Sequence, residues 1–413
     1  MEKNNKTLNV PHLRFPEFSK EWEICKVSDI LDFYSTNSLA WEQLEYGAYG
    51  LKNLHYGLIH NGLSTCVDTK DAILPVIKQN CIPKNYTECQ NGDVAFADAS
   101  EDTNDVAKCV EFTDCHADKV VCGLHTIQGR DKGDKTVVGF KGYAFSSQAF
   151  RHQIRRLAQG TKIYSISSKN FSECNIGIPS KEEQTKIATL LKLIEQCILT
   201  QKKIIEKYES LIKGITDKVF YTPHVYFLRS FGTLYKDAGE GGTPSTSNPQ
   251  YYEDGTIPFI KIDDLSQKYL VAHKDCITEL GLRNSSAWLI PTGSVLYSNG
   301  ATIGAISINT YPVSTKQGIL GIVPNDCVCA EYLYYLMTSK YFRKQVHRII
   351  TEGTMRTAYL KDINRILCPV PDKNEQQSLA KSISLVTRKI EIEKATLKAF
   401  ILQKRYLLSH LFI

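Results

Sequence analysis

This chain of 413 residues contains one segment twice: IPSKEEQTKIATLLKLIEQCILTQ at residues 178–201 and VPDKNEQQSLAKSISLVTRKIEIE at residues 370–393. The wider copies run from Gly160 to Phe220 and from Gly353 to Phe412, roughly 192 residues apart. Solenoid repeats have periods of about 20–50 residues, so this period is too long for a solenoid. The duplication instead predicts two similar modules in one chain and approximate two-fold symmetry.

Each copy carries the signals of a long amphipathic helix. Ser180 precedes Glu183 by three residues and Asp372 precedes Glu375 by three, so both helices are predicted to begin with a capping box. Apolar residues then recur at alternating steps of four and three, which is the heptad pattern of a coiled coil. The predicted seam consists of Ile187, Leu191, Ile194, Ile198, Ile205, Tyr208 and Ile212 in the first copy, and of Leu379, Ile383, Val386, Ile390, Leu397 and Phe400 in the second.

The order of the segments predicts how the two helices run. The second module must leave the end of the first helix and return to the start of the second, so the helices are expected to be antiparallel within one chain. About forty residues of helix span roughly 60 Å, which exceeds one turn of duplex DNA, about 34–36 Å. Two alternatives stay open: each helix packs only on its own module, or the seams pair between chains.

The segments outside the helices have the mixed patterns of α/β modules. In the first module, short β-like runs alternate with turns such as Asn61-Gly62, and in the second, strands are predicted at Ile257 to Ile262 and Ser294 to Ser298. The predicted boundaries are residues 1–178 for the first domain, 179–222 for the first spacer helix, 223–370 for the second domain and 371–413 for the second spacer helix.

The composition limits the classes of function. A formal charge of +6 is mildly basic, which fits a polyanionic partner without demonstrating one. No apolar run approaches the ~20 residues of a membrane span and the start shows no secretory signal, so a cytoplasmic location is expected. Thirteen cysteines without a Cys-x-x-Cys pair argue against a disulfide framework. The nearest approach to a metal cluster matches no zinc spacing; it consists of Cys109, Cys115, His116, Cys122 and His125.

Several passages together resemble the specificity subunits of type I restriction-modification systems. In the first module they are Leu13-Arg14-Phe15-Pro16-Glu17-Phe18 with Trp22-Glu23, Ser100-Glu101-Asp102-Thr103-Asn104-Asp105-Val106 and Gly123-Leu124-His125-Thr126. In the second they are Gly241-Gly242-Thr243-Pro244-Ser245, Gly255-Thr256-Ile257-Pro258-Phe259, Gly300-Ala301-Thr302-Ile303-Gly304 and Thr315-Lys316-Gln317. A cluster of Pro, Glu and Gln at each closing helix completes a resemblance that covers nearly the whole chain.

The resemblance implies an α+β fold in which two mixed α/β target recognition domains are joined by two long antiparallel coiled-coil helices with pseudo-two-fold symmetry. It implies a chain without catalytic residues, cofactor or metal. Each domain would recognise one half of a bipartite asymmetric site in double-stranded DNA. The chain would direct two methyltransferase (modification) subunits in adenine-N6 methylation and, with two restriction (motor-nuclease) subunits, DNA cleavage. S-adenosylmethionine, ATP and Mg are implied for those partner subunits only, and no membrane partner is implied.

Contacts with DNA divide into phosphate anchors and base contacts. Lysine and arginine serve as anchors, whereas asparagine and glutamine pair with adenine, and arginine and lysine with guanine. The predicted anchors are Lys84, Arg130, Lys132, Lys162, Lys261, Lys316 and Arg356, with Lys52, Lys135 and Lys268 as further candidates. The predicted base contacts are Tyr56, His60, Tyr297, Asn299 and Gln317. The Gly160-Thr161 and Gly353-Thr354 loops either present N–H groups to phosphate or form tight turns.

Two alternatives are a free-standing methyltransferase and a scaffold whose domains bind proteins. The first needs motifs that the sequence only imitates. Gly133-Asp134-Lys135-Thr136 lacks the adjacent Gly-Lys pair of a P-loop. Asn248-Pro249-Gln250-Tyr251 is superficially similar to the Asn-Pro loop of adenine methyltransferases, but no strand followed by Gly-x-Gly precedes it, so a turn is expected there.

Overall fold

The computed structural model describes residues 8–116, 118–160, 162–221, 226–300, 302–350 and 357–413. The chain divides into two compact units, of which unit 1 is Met1–Lys202 with Ala395–Ile413 and unit 2 is Lys203–Lys394. Within the described residues, no helix is both long enough and apolar enough to cross a membrane. All thirteen cysteines lie in the described part of the chain, and all are free.

Unit 1 combines short strands and short helices with the start of one long helix. Its strands are β1 (Glu23–Lys26), β2 (Leu31–Tyr34), β3 (Leu44–Glu45), β4 (Lys52–Leu54), β5 (Cys66–Asp68), β6 (Val76–Ile77), β7 (Val94–Ala97), β8 (Ala99–Ser100), β9 (Cys109–Asp114), β10 (Val120–Cys122), β11 (Thr126–Asp131), β12 (Tyr164–Ser165) and β13 (Asn175–Ile178). Its helices are α1 (Val27–Ile30), α2 (Tyr56–His60), α3 (Phe140–Ser146), α4 (Gln148–Leu157), α5 (Ser168–Ser172) and the beginning of α6 (Lys181–Tyr221).

Unit 2 repeats this plan with fewer strands. They are β14 (Leu228–Ser230), β15 (Tyr235–Glu240), β16 (Ile257–Ile260), β17 (Tyr269–Leu270), β18 (Asp275–Ile277), β19 (Val295–Ser298), β20 (Ile306–Asn309), β21 (Ser314–Thr315), β22 (Ile319–Pro324) and β23 (Leu367–Pro369). The helices are α7 (Glu279–Arg283), α8 (Ala330–Thr338), α9 (Lys340–Ile349), α10 (Leu360–Ile363) and α11 (Lys373–His410), whose end belongs to unit 1. The two strands predicted from the sequence, now β16 and β19, are confirmed.

Each unit is built on its own five-stranded sheet, and the two sheets have the same topology. The strand order is β2-β11-β7-β9-β5 in unit 1 and β15-β22-β19-β20-β17 in unit 2. In each sheet the first three pairs are antiparallel and the last pair is parallel. All four residues of the central strands β7 and β19 are buried, since both faces of these strands are covered by other elements.

The repeat begins earlier in the chain than the sequence analysis recognised. Helix α4 is capped by Ser147, whose Oγ accepts from the N–H of Phe150 at 3.3 Å. Helix α9 is capped by Ser339, whose Oγ accepts from the N–H of Phe342 at 3.2 Å. Both phenylalanines are buried in the core of their unit. The α3–α4 and α8–α9 pairs are therefore copies of one helical hairpin, and the repeat extends upstream of Gly160.

The long helices pair within one chain. In unit 1, residues from the start of α6 share a hydrophobic core with residues near the end of α11, and in unit 2 the end of α6 packs with the start of α11. The helices therefore run antiparallel, as the segment order predicts. Every predicted seam residue is buried or half-buried. The buried set comprises Ile187, Leu191, Ile194, Ile198, Ile205, Ile383 and Ile390, and the half-buried set comprises Tyr208, Ile212, Leu379, Val386, Leu397 and Phe400.

Only half of each predicted capping box forms. Ser180 accepts from the N–H of Glu183 at 3.4 Å, but the Glu183 carboxylate binds the Arg14 guanidinium, with Nε–Oε1 at 2.7 Å. Asp372 accepts from the N–H of Glu375 at 2.9 Å, but the Glu375 carboxylate accepts from the hydroxyl of Tyr226 at 2.5 Å. A guanidinium and a phenol are better donors to a carboxylate than a backbone amide. Each glutamate consequently ties its helix to the segment that begins its domain.

Candidate nucleic-acid interface

Three segments of unit 1 meet at one end of the five-stranded sheet. The N–H of Asp98, which follows β7, donates to the carbonyl oxygen of His125 at 3.0 Å, and the Asp98 carbonyl accepts from the N–H of Ile166 at 3.0 Å. His125 precedes β11 and Ile166 follows β12. We call the described residues of these segments the first loop edge; they are residues 98–107, 123–125, 159–160 and 162–166.

Unit 2 has the same arrangement with different residues. The N–H of Asn299 donates to the carbonyl oxygen of Gly318 at 3.0 Å, and the Asn299 carbonyl accepts from the N–H of Ala358 at 2.9 Å. Asn299 follows the central strand β19, and Gly318 precedes β22. The described residues of these segments form the second loop edge, which is residues 299–300, 302–304, 316–318 and 357–359. Both loop edges thus have one hydrogen-bonded frame.

Two sequence motifs occupy equivalent places in this hydrogen-bonded frame. Ala107, with φ of 54°, donates its N–H to the last carbonyl oxygen of β7 at 2.7 Å. Gly304, with φ of 104°, donates its N–H to the last carbonyl oxygen of β19 at 2.9 Å. Each residue closes the loop that leaves the central strand through a left-handed backbone. The motif at 100–106 and the described residues of the motif at 300–304, unrelated in sequence, therefore occupy the same place in the two units.

Two predicted base contacts lie beside the first loop edge. The rings of Tyr56 and His60 are 5.8 Å apart, and the ring of Tyr56 meets that of His125 edge-on at 5.3 Å. His60 donates from Nε2 to the carbonyl oxygen of Ala99 at 3.0 Å. Both Tyr56 and His60 are half-buried. Their contact with bases stays a prediction, but helix α2 brings them to the same edge as His125.

Two other predicted base contacts, Tyr297 and Asn299, are buried, contrary to the exposure that such contacts need. Tyr297 is 1% exposed and packs edge-on against Phe342 inside the core, where burial raises the pKa of its hydroxyl to about 12. Asn299 is also 1% exposed, and its Nδ2 donates to the carbonyl oxygen of Ala358 at 3.3 Å. Tyr297 lies within β19, as the strand predicted at Ser294 to Ser298 implies, and Asn299, the first residue after β19, is buried where the loop segments meet.

Two further residues of the predicted set in unit 2 are exposed on the second loop edge. Lys316 and Gln317 are both exposed, and each is fixed through its backbone. The N–H of Lys316 donates to the carbonyl oxygen of Ile260 at 2.9 Å, and the N–H of Gln317 donates to Oγ1 of Thr243 at 3.4 Å. Hydrogen bonds thus fix the backbone of Lys316 and Gln317 while their side chains are exposed to solvent, an arrangement that suits contact with a large ligand.

Several predicted phosphate anchors are engaged within the protein. Arg130 grips Asp93 through Nε and Nη2 at 2.9 and 2.8 Å, and these hydrogen bonds raise the pKa of Arg130. The other paired anchors are Lys132 with Asp32, Lys261 with Asp275, Lys52 with Asp118, Lys135 with Glu23 and Lys268 with Glu331. Lys84, Lys162 and Lys316 are exposed and have no ion pair with any residue that the structure describes. Arg356 lies outside the described residues, as do Thr161, Gly353 and Thr354.

The sequence analysis missed a basic helix next to the first loop edge. Arg151 of α4 donates from Nη1 to the carbonyl oxygen of Val106 at 2.5 Å and from Nη2 to that of Asn104. Arg155 reaches Oδ1 of Asn104 at 3.4 Å. The helix therefore holds the 100–106 loop in place and adds cations beside it. Ser-x-x-Phe-Arg-x-Gln occurs at residues 147–153 and again at 339–345, a repeat that could have revealed both helices.

A cleft of about 800 Å³ lies in unit 1 between α4 and the long helices. Its charged lining consists of Arg151, Arg155, Lys202, Lys404, Arg405 and Glu195. Glu195 and Lys404 form an ion pair at 2.8 Å, and Glu195 also accepts from the hydroxyl of Tyr143 at 2.9 Å. Five cations against one carboxylate give the cleft a positive field that favours anionic groups.

The motifs that imitate enzyme sites are structural. Asn248 accepts with Oδ1 from the N–H of Gln250 at 3.2 Å, which confirms the expected turn. Lys135, in the segment that imitates a P-loop, pairs with Glu23 at 2.6 Å.

Gly160 has φ of 139°, and a Cβ there would lie 1.9 Å from the carbonyl oxygen of Ile163, so only glycine fits this tight turn. No group of three or more His, Cys, Asp or Glu could hold a metal ion in the described portion of the chain.

Comparison with known proteins places this architecture among DNA specificity proteins. The family model for the type I restriction modification DNA specificity domain matches residues 117–210 and 225–403. The chain is 33% identical over 165 residues to the type I restriction enzyme MjaIX specificity subunit of Methanocaldococcus jannaschii, with 38% of each chain covered. It is 22% identical over 403 residues to the putative MjaX specificity subunit of that organism, with 92% of this chain and 89% of the relative covered. The chain spans less than two thirds of the length of other curated relatives that it matches, 55% in one case and 25% in another.

Solved structures share the fold over nearly the whole length. The type I restriction-modification S subunit from M. genitalium has a TM-score of 0.60 and 15% identity, with 98% of this chain and 99% of that chain covered. A chain from a study of complex assembly and conformational transition in the type I R-M system has a TM-score of 0.58 and 15% identity, with 96% and 98% covered. At such low identity these likenesses establish the fold alone.

Proposed function

Because the chain belongs to the type I restriction modification DNA specificity family, we propose that it is the sequence-recognition subunit of a type I restriction-modification complex. In this proposal each loop edge contacts one half of a bipartite asymmetric site in double-stranded DNA. The named relatives are specificity subunits, so the family gives the chain a recognition role and leaves catalysis to other subunits.

The pair of loop edges carries this proposal. One hydrogen-bonded frame, anchored by Asp98 in unit 1 and by Asn299 in unit 2, presents different side chains in the two units. The first loop edge offers His125, with Tyr56 and His60 beside it, whereas the second offers Lys316 and Gln317. Different hydrogen-bonding groups recognise different base edges in the major groove. A shared frame with unlike contacts is therefore suited to two unlike half-sites.

The long helices offer matched surfaces for two copies of a partner. Leu193 on α6 is 54% exposed, and Leu385, at the same repeat position on α11, is 59% exposed. Exposed leucines at the same place in both copies fit an apolar contact that is made twice, once with each copy of a partner. We assign these positions to the two methyltransferase subunits. Methylation of adenine N6 and, with two restriction subunits, DNA cleavage would be performed by those partners.

In this scheme the chain itself needs no cofactor. S-adenosylmethionine would bind the methyltransferase subunits, and ATP and Mg would bind the restriction subunits. The work would take place in the cytoplasm, where the cellular DNA is accessible to the complex.

A map of N6-methyladenine tests the proposal directly. Cells that carry this chain with its methyltransferase should show methylation at one gapped, two-part motif, and the motif should vanish when only this chain is removed. Exchanging residues 226–370 for another second domain should change one half of the motif. Change in both halves would contradict the assignment of one unit to one half-site, and an unaltered methylation map on removal would favour a protein-binding scaffold.

The partner surface is tested by charge. Leu193→Glu and Leu385→Glu should each reduce the methyltransferase content of the purified complex from two copies toward one, and the double variant should lose both. Leu211→Glu is the matched control, because Leu211 is 47% exposed on α6 but has Gln403 at its repeat position. Equal loss in the control variant would show that any charge on the helices disrupts assembly.

A further inference from the structure

His125 has a left-handed backbone conformation, which glycine adopts more easily than histidine. Its φ is 53°, in the left-handed region, and its counterpart in unit 2 is Gly318, with φ of 89°. Glycine enters this region without steric cost, whereas a residue with a Cβ does not. Unit 2 therefore shows which residue the backbone alone favours. A strained histidine in its place points to a use for the imidazole.

The imidazole is held in one orientation. Nδ1 lies 3.2 Å from Oδ1 of Asp98, the residue that joins the segments of the first loop edge, and the ring meets Tyr56 edge-on at 5.3 Å. With Asp98 accepting from Nδ1, Nε2 is the ring atom left for a ligand. Nε2 forms no hydrogen bond to any residue in the described ranges, and the side chain is 50% exposed. Asp98 and Tyr56 thus fix a half-exposed ring whose other nitrogen has no partner among the described residues.

We propose that His125 contacts DNA through Nε2, with Asp98 as its positioning residue. This inference rests on the proposed function and names a contact in the first loop edge. The group it meets is a hydrogen-bonding atom of the duplex. Neutral Nε2 accepts from the amino group of adenine or cytosine in the major groove, and the protonated ring donates to a phosphate oxygen.

The chain supplies a matched control for this contact. His116 also has a left-handed backbone, with φ of 48°, and its imidazole also pairs with a carboxylate, Oδ1 of Asp68 at 2.8 Å. It lies between β9 and β10, outside the first loop edge. His116→Gly and His125→Gly therefore remove the same strain and the same kind of imidazole–carboxylate hydrogen bond, but only the second removes the proposed contact.

The experiment measures duplex binding by the assembled complex with each variant. His125→Gly should keep the melting temperature at or above that of the wild type and should weaken binding about tenfold or more, the scale of one good base contact. His116→Gly should leave affinity unchanged. Loss confined to the cognate duplex assigns Nε2 to a base, while equal loss on cognate and random duplexes, with the salt slope lowered by about one, assigns it to phosphate.

Unchanged affinity of folded His125→Gly for both duplexes would overturn the inference while leaving the proposed function intact. Failure of the wild-type complex to bind any duplex would instead remove the proposed function. The role of Asp98 has its own test: Asp98→Asn should weaken binding in the wild-type background and have no further effect in His125→Gly. An equal effect in both backgrounds would show that Asp98 acts on the fold alone.

Discussion

Gln184 and Gln376 occupy the same position in the two repeats and make the same hydrogen bonds. Each Nε2 donates at 2.9 Å to the carbonyl oxygen of the proline before its helix, Pro179 in unit 1 and Pro371 in unit 2. Each Oε1 accepts at 2.9 Å from the N–H of a residue in a nearby loop. Both side chains are buried. The repeated motif is therefore a joint that attaches each long helix to its recognition domain.

Replacing Gln184 by Leu should destabilise unit 1. The N–H of Val137 and the carbonyl oxygens of Lys135 and Pro179 would lose their buried partner. Each unsatisfied buried group costs roughly 1–3 kcal/mol, so we expect a loss of about 3 kcal/mol in the free energy of unfolding, measured by denaturant titration. Gln196→Leu, on the exposed face of the same helix, should change it by less than about 0.5 kcal/mol. Equal values for the two variants would contradict the joint.

Replacing Arg14 by Ala should lower the free energy of unfolding, because Arg14 joins the N-terminal segment to Glu183 at the start of α6. The Glu183 side chain is 2% exposed, so Arg14→Ala leaves a buried carboxylate without its cation. Breaking such a pair costs about 3 kcal/mol or more, and the variant should unfold at correspondingly lower denaturant concentration. The double variant with Glu183→Gln should recover part of this loss, because the uncompensated charge is gone.

The control for Arg14 is a surface pair from the same region. Lys186 bonds to Glu17 on the surface, with half of its own side chain exposed. Lys186→Ala should cost well under about 1 kcal/mol, as is usual for exposed ion pairs. A large effect of Lys186→Ala with a small effect of Arg14→Ala would reverse this ranking and contradict the role of burial.

The sequence predicted the features that periodic patterns encode. The heptad steps gave the two long helices and their seam, and the order of segments gave their antiparallel arrangement. Strands such as β19 were found because apolar residues cluster there. The capping boxes were only half predicted, since the partners of Glu183 and Glu375 lie far away in the chain. Such distant partners leave no mark in local spacing.

The candidate site was harder to predict because burial depends on tertiary contacts. Tyr297 and Asn299 have the residue types of base contacts, yet the sheet encloses them. The pairing of His125 with Asp98, 27 residues apart, arises only when β7 and β11 become neighbours. The left-handed backbone of His125 is equally invisible in the sequence. Residue type alone could therefore nominate candidates but could not place them on a loop edge.

Lys316→Ala should weaken binding of the assembled complex to every duplex and lower the slope of log affinity against log salt by about one. The reason is that Lys316 is an exposed cation on the second loop edge with a fixed backbone. Lys236→Ala removes an equally exposed lysine near the start of β15, outside the second loop edge, and should leave the slope unchanged. An unchanged slope for Lys316→Ala would remove this residue from the phosphate contacts.

The ion pair of Glu195 with Lys404 predicts a specific dependence of stability on pH. Burial alone would raise the pKa of Glu195, but Lys404, the N–H of Thr65 and the hydroxyl of Tyr143 outweigh burial and hold the pKa below its ordinary value of 4.5. The unfolded chain therefore binds the proton more readily near pH 4, so the ionised Glu195 stabilises the fold above its unfolded pKa and loses that contribution as the pH falls.

Lys404→Met should reverse the sign of this contribution, because burial then dominates and raises the pKa of Glu195 in the folded state. The deficit of the variant relative to the wild type should consequently be small near pH 3 and grow toward pH 7, as followed by denaturant unfolding across that range. Lys202→Met, which removes an exposed lysine from the same cleft, should show a pH-independent difference, and a pH-independent deficit for Lys404→Met would contradict the ionised pair.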